Sequence, residues 1–217
     1  MRSRLLSLLL KIRIGGLLLA ALALWVFAQI AEEVLETESF AFDTNILLTV
    51  RSWHSPLLDI VMLGITTIGD PFVLLIIRLL LGFWLLQRKQ QSEATTLAVA
   101  AIGAIGLNVM LKQLFSRARP ALWDRVVDVG QYSFPSGHAM VSMVIYGFIG
   151  YILATRYRRQ QWWIISLTTL LVTAIGFSRL YLGVHWPTDI IAGYAAGLVW
   201  LIACILSSKI WHRYRAK

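Results

Sequence analysis

Three separated clusters in this chain combine residue types that can do chemistry on a phosphate. They are KQLFSRARP (Lys112 to Pro120), PSGH (Pro135 to His138) and SRLYLGVHWPTD (Ser178 to Asp189). Together they gather the cations Lys112, Arg119 and Arg179, the histidines His138 and His185, a Ser136-Gly137 turn and the carboxylate Asp189. Cations and the free amides of a helix start hold an anion. A histidine whose tautomer is fixed by a carboxylate keeps one ring nitrogen free as a nucleophile.

Each cluster also has a plainer reading. Ser136 suits the cap of a helix beginning near His138, and Gly137 lets an anion approach the backbone, yet alone this is an ordinary helix start. His185 precedes Pro187, which suits a first helical turn, and Asp189 follows four residues later, within reach of one ring nitrogen. Asp189 equally suits the positive end of that helix, and both roles are compatible. Single cations at the ends of membrane helices usually snorkel to headgroups. Three beside two histidines make a stronger case for an anion site. Arg117 reads either as a fourth site cation or as a solvated loop residue. Pro120 is expected to terminate the helix that carries Lys112.

The elements that must position these groups lie in a membrane. The 217 residues are 58% hydrophobic and only 14% charged, with mean hydropathy +0.71. So much apolar surface has to face lipid. The formal charge of +9 does not indicate nucleic acid, because the cations fall in short runs between apolar segments. The single cysteine, Cys204, excludes an intramolecular disulfide and a cysteine-based metal site.

Apolar stretches of spanning length fall at 14–31, 57–87, 94–114, 138–155, 161–178 and 187–208, which predicts an all-α bundle of six transmembrane helices. Basic residues flank one set of ends: Arg2, Arg4, Lys11 and Arg13; Arg88 and Lys89; Arg156, Arg158 and Arg159; Lys209, Arg213, Arg215 and Lys217. The positive-inside rule makes these ends, and both termini, cytoplasmic. Glu32, Glu33, Glu36, Glu38 and Asp43 then fall outside, and so do all three clusters. Residues 1–28 also fit a cleaved signal peptide ending at Val26-Phe27-Ala28, although the apolar run better suits an anchor. In the second span Pro71 either kinks the helix or marks its true start, and Arg78 reads as a structural charge. Residues 43–54 are expected to form a short amphipathic surface helix with Asp43 as N-cap and His54 exposed. Small residues in the third span, and Gly193 and Gly197 in the sixth, suit close helix packing.

The clusters resemble the three signature motifs of the type 2 phosphatidic acid phosphatase superfamily: Lys-x6-Arg-Pro, Pro-Ser-Gly-His and Ser-Arg-x5-His-x3-Asp. Every defining position is matched, by Lys112 to Pro120, Pro135 to His138 and Ser178 to Asp189. Three ordered motifs with correct internal spacing are specific in a way that one short pattern is not. The motifs cover the C-terminal half, and the first ninety or so residues agree only in hydropathy. The resemblance implies a single domain over 1–217, with its motif-bearing core at about 94–208. It implies His185 as nucleophile, Asp189 as its orienting group, and His138 as the acid that protonates the leaving group and then activates water. Lys112, Arg119, Arg179, Ser136 and the Gly137 amide would bind phosphoryl oxygens, with no metal or other cofactor.

The activity so implied is hydrolysis of a lipid phosphate or diphosphate, such as undecaprenyl diphosphate, phosphatidylglycerophosphate or phosphatidic acid. Partners would be that lipid and the bilayer, with no nucleic acid and no obligate protein. The expected location is the plasma (inner) membrane, with the site on its extracytoplasmic side. Trp123 and Tyr132 either line the lipid's access route or serve as interfacial anchors. Vanadium-dependent haloperoxidases share these motifs but are soluble. A phosphotransferase would share the first half-reaction. A transporter would suit Arg78, yet it leaves the His-His-Asp set unexplained and no inverted repeat is apparent.

Overall fold

The computed structural model describes residues 2–36, 41–123, 127 and 129–215, with side chains described over 14–210 of that set. Glu38 and Lys217 lie outside the described residues, as do the side chains of Arg2, Arg4, Lys11, Arg13, Arg213 and Arg215. Among the described residues, eight α-helices follow in order: α1 (Arg2–Leu35), α2 (Ala41–Arg51), α3 (Pro56–Ile68), α4 (Pro71–Gln87), α5 (Gln91–Phe115), α6 (Gly137–Arg156), α7 (Gln161–Tyr181) and α8 (Pro187–Arg215). Among the described residues there is one isolated β-bridge, Ala118 with Tyr132, and no strand.

Among the described residues, five helices are long and apolar enough to cross a membrane, within α1, α5, α6, α7 and α8. The expected second span is two helices. α3 and α4 meet at 46°, and together they supply a sixth candidate span. The break has a local cause. Asp70 caps α4, its Oδ1 accepting from the Phe72 amide at 2.8 Å, and Pro71 occupies the first helical turn, where its missing N–H is harmless.

α6 is the centre of the bundle, packing against α5, α7 and α8, while α1 lies against α8. The α6–α8 contact depends on small residues. A Cβ at Gly193 would lie 2.8 Å from the Ser136 carbonyl oxygen, and one at Gly197 would lie 2.7 Å from that of Met140. The core is Leu74, Leu85, Ala100, Ala104, Val144, Ile145, Phe148, Val172 and Ile175. Many outward residues, including Leu79, Ile102, Trp162 and Leu170, stay exposed, as a lipid-facing surface requires.

α2 departs from expectation. Asp43 is not its N-cap but sits in the first turn, and it is buried together with Leu47 and Val50. His54 is half-buried: its Nε2 lies 2.9 Å from the Tyr181 carbonyl oxygen, and the two rings stack at 4.0 Å. The helix is therefore docked on the bundle through specific contacts.

Candidate active site

One end of the bundle collects the chemical residues because neighbouring helices alternate in direction. The C-terminal ends of α3, α5 and α7 meet the N-terminal ends of α4, α6 and α8. A cavity of about 690 Å³ lies there, lined by Lys112, Arg119, Gly137, His138, Arg179 and His185 together with Thr66, Asn108 and Arg78.

His185 and Asp189 are both buried, and His185 Nδ1 lies 3.3 Å from Asp189 Oδ2. The same oxygen accepts from the Trp186 amide at 2.8 Å, so Asp189 also closes the first turn of α8. On the other side of the ring, Arg119 Nη1 lies 3.1 Å from Nε2. A guanidinium has donors only, so the nitrogen it faces must present a lone pair. Nδ1 then carries the proton and donates to Asp189, and the Nε2 lone pair faces Arg119. Burial holds the His185 pKa well below its ordinary 6.5, and Arg119, Arg179 and Lys112 push it the same way. A hydrogen bond with the Ser133 backbone opposes them. Burial and the facing Arg119 guanidinium both favour the neutral ring.

Arg117 and Arg119 act as a pair because α5 stops earlier than Pro120 suggests. It ends at Phe115, where Ser116 takes a left-handed conformation with φ 43°. Beyond it Ala118 pairs with Tyr132 in an isolated bridge, and the flanking Arg117 and Arg119 reach Asp189 and His185 respectively. Arg119 donates to the Val184 carbonyl at 2.7 Å. Arg117 Nη1 donates to Asp189 Oδ1 at 2.6 Å, and its Nη2 donates to Asp43 Oδ2 at 2.9 Å. Arg117 is therefore neither a solvated loop residue nor part of the cavity wall. It holds the carboxylate that holds the histidine. Asp43 adds a second brace, accepting from the Thr188 hydroxyl at 2.6 Å and the Thr188 amide at 3.1 Å.

The other cations are also anchored. Lys112 Nζ donates to the Tyr132 carbonyl at 2.8 Å. Arg179 is buried, and its Nη1 donates to the Thr66 hydroxyl at 2.7 Å. Its Nε, buried on the same guanidinium, has no protein acceptor. A site that receives an oxyanion would supply one. His138 lines the cavity from the start of α6. Gly69 backs it closely: a Cβ there would fall 3.2 Å from His138 Cδ2 and 2.4 Å from Ile175 Cγ2.

The turn before α6 is fixed from two sides. Asn108 Nδ2 donates to the Pro135 carbonyl at 3.1 Å, and the Ser136 amide donates to the Asp189 carbonyl at 3.0 Å. The second bond ties the two histidine-bearing segments together. Ser136 is fully buried as the α6 cap, its Oγ facing the Ala139 amide. The described lining includes Gly137 and His138 but not Ser136, Trp123 or Tyr132. Trp123 instead packs under Arg51 and edge-on to His54. Sequence patterns gave no sign of Thr66, Asn108 or Asp43 as site neighbours. Among the described residues, no three His, Cys, Asp or Glu side chains converge in the way metal ligands do.

The sequence profile of the PAP2 superfamily matches residues 93–213. The chain belongs to the PAP2 superfamily. Phosphatidylglycerophosphatase B of Bacillus subtilis is 33% identical over 153 residues, covering 67% of this chain and 73% of that protein. An undecaprenyl-diphosphatase of Sulfolobus acidocaldarius is 26% identical over 169 residues, covering 74% of this chain and 75% of that one. The crystal structure of a transmembrane PAP2-type phosphatidylglycerolphosphate phosphatase from Bacillus subtilis shares the fold. Its TM-score is 0.81 at 24% identity, covering 88% of this chain and 96% of that one. These PAP2 relatives are lipid phosphatases, and together with the apolar helices they mark a multi-pass membrane protein.

Proposed function

We propose that this PAP2 protein hydrolyses a lipid phosphate or diphosphate through a phosphohistidine on His185. The arrangement around Nε2 carries the reading: a neutral ring, oriented by Asp189, faces a cavity walled by Lys112, Arg119 and Arg179. A phosphoryl group entering the cavity draws Arg119 from Nε2 to its own oxygens, which frees the lone pair. Nε2 attacks phosphorus, the bond to the leaving oxygen breaks, and His138 gives that oxygen a proton. His138 then takes a proton from water, whose oxygen attacks phosphorus and releases inorganic phosphate from Nε2.

The three cations and the amides at the start of α6 stabilise the transferring group, so the reaction runs without a metal. Ile105 and Val109 line the cavity and are also exposed on the outer surface of α5, so a tail can remain in lipid while the headgroup enters sideways. The basic flanks of the other helix ends support an outer-face site in the plasma membrane. Phosphate release by purified protein in detergent with EDTA tests the reading, using phosphatidylglycerophosphate, undecaprenyl diphosphate and phosphatidic acid. Release that survives chelation and vanishes in His185→Ala supports it. Substantial turnover in folded His185→Ala would sink the mechanism.

A further inference from the structure

One cation of the cavity has no part in the hydrolysis above. Arg78 lies on α4, in register with Leu74, Leu81 and Leu85 at steps of four, three and four residues, which share one helix face. Leu74 and Leu85 are buried, and Leu81 packs on the main core, so that face is turned into the bundle. The neighbouring Leu79 and Leu80 carry the lipid-facing side. Arg78 therefore borders the cavity rather than the bilayer.

Its depth is informative. Arg78 is seven residues beyond Pro71, about 10 Å along the axis from the end that holds the catalytic groups. Ile105 marks a similar depth on α5, seven residues from Lys112. The apolar lining contributed by these two helices includes Leu74, Ile105 and Val109. Among the described residues, Arg78 has no hydrogen-bond or ion-pair partner, whereas Lys112, Arg117, Arg119 and Arg179 are all anchored on protein oxygens. An unpaired guanidinium facing a cavity at membrane depth marks a ligand route. Its fork matches phosphate oxygens.

We propose that Arg78 binds a second phosphate of the substrate, a phosphodiester set back from the scissile monoester by a short linker. The proposal rests on the phosphatase reading and narrows it to two-phosphate headgroups of the glycerophosphate type. A lipid with the scissile phosphate alone leaves Arg78 empty. In a diphosphate the second phosphorus is bonded through one oxygen to the first, which keeps it near Lys112 and Arg119 and above Arg78.

The test compares wild type, Arg78→Gln and Arg78→Lys on phosphatidylglycerophosphate, phosphatidic acid and undecaprenyl diphosphate in one detergent. In Arg78→Gln the ratio of kcat/KM for phosphatidylglycerophosphate to that for phosphatidic acid should fall roughly ten- to a hundredfold, mainly through KM. Arg78→Lys should recover part of it. An equal loss on all three lipids would assign Arg78 to structure and overturn the proposal, as would an unchanged ratio. A loss confined to the diphosphate would overturn the depth assignment. No release from any lipid by wild type would instead refute the phosphatase reading itself.

Discussion

Replacing Arg117 by leucine should damage this protein more than any other single loss of a cation. Its side chain is 14% exposed, and the two carboxylates it joins, Asp43 and Asp189, are at 1% and 0%. Removing one member of a buried ion pair leaves an uncompensated charge and costs about 3–5 kcal/mol. Here one residue serves two carboxylates, so the upper part of that range is expected. For soluble domains of similar length this corresponds to a fall in Tm of roughly 6–20 °C. Activity should fall beyond what unfolding explains. Asp189 without Arg117 loses the group that fixes its Oδ1, so it orients Nδ1 of His185 less firmly. The assay is phosphate release at a temperature where the variant is fully folded, alongside thermal unfolding in the same detergent. Arg117→Lys should fall between, since one ammonium nitrogen replaces the two separate nitrogens that reach Asp189 and Asp43. Asp43→Asn added to Arg117→Leu should recover part of the stability but not turnover, because Asp189 stays unpaired. Wild-type Tm and turnover in Arg117→Leu would refute the bracing role. So would activity that recovers together with stability in the double variant.

Asp189→Asn should lower kcat on the order of 10³–10⁴-fold, the scale of losing an enforced histidine tautomer, while lipid binding persists. Near-normal turnover would leave Asp189 as only the closing residue of α8. The His185 ring should remain neutral, with its proton on Nδ1, at and below pH 6.5, which ring-nitrogen chemical shifts report directly. Its folded pKa is depressed, so its contribution to stability is fully present above 6.5 and is lost as pH falls through the folded value. An imidazolium at pH 6.5 in the folded protein would contradict this. Gly69→Ala should slow turnover by displacing His138, since the new methyl group meets Ile175 and that ring. Unchanged kinetics would show that the α3–α4 break does not position His138. Thr66→Val should cost about 1–3 kcal/mol by removing the acceptor of a buried Arg179 nitrogen, with KM rising more than kcat falls. Wild-type KM would remove Thr66 from the site.

The sequence alone determined the features whose physics is local. Apolar runs long enough to span a bilayer established the all-α membrane architecture, and Pro71 marked a kink or a true helix start where the α3–α4 break lies. The Ser136 cap is a contact within three residues, and the pairing of His185 with Asp189 spans four. Each could be read because one helical turn sets the distance. What tertiary structure decided lies across the chain. Arg117 reaches Asp189 over 72 positions and Asp43 over 74, Arg179 reaches Thr66 over 113, and Asp43 reaches Thr188 over 145. No periodicity encodes such distances. They follow from where α5 happens to stop and from how closely α6 and α8 approach through glycine. Burial then changes the meaning of each charge. Asp43 looked like a cap, Arg117 like either a fourth site cation or a loop residue, and Arg78 like a structural charge. In a low-dielectric interior an ionised group needs a counter-charge, hydrogen bonds or a ligand. The folded bundle is what assigns the first two residues to each other and leaves the third facing the cavity.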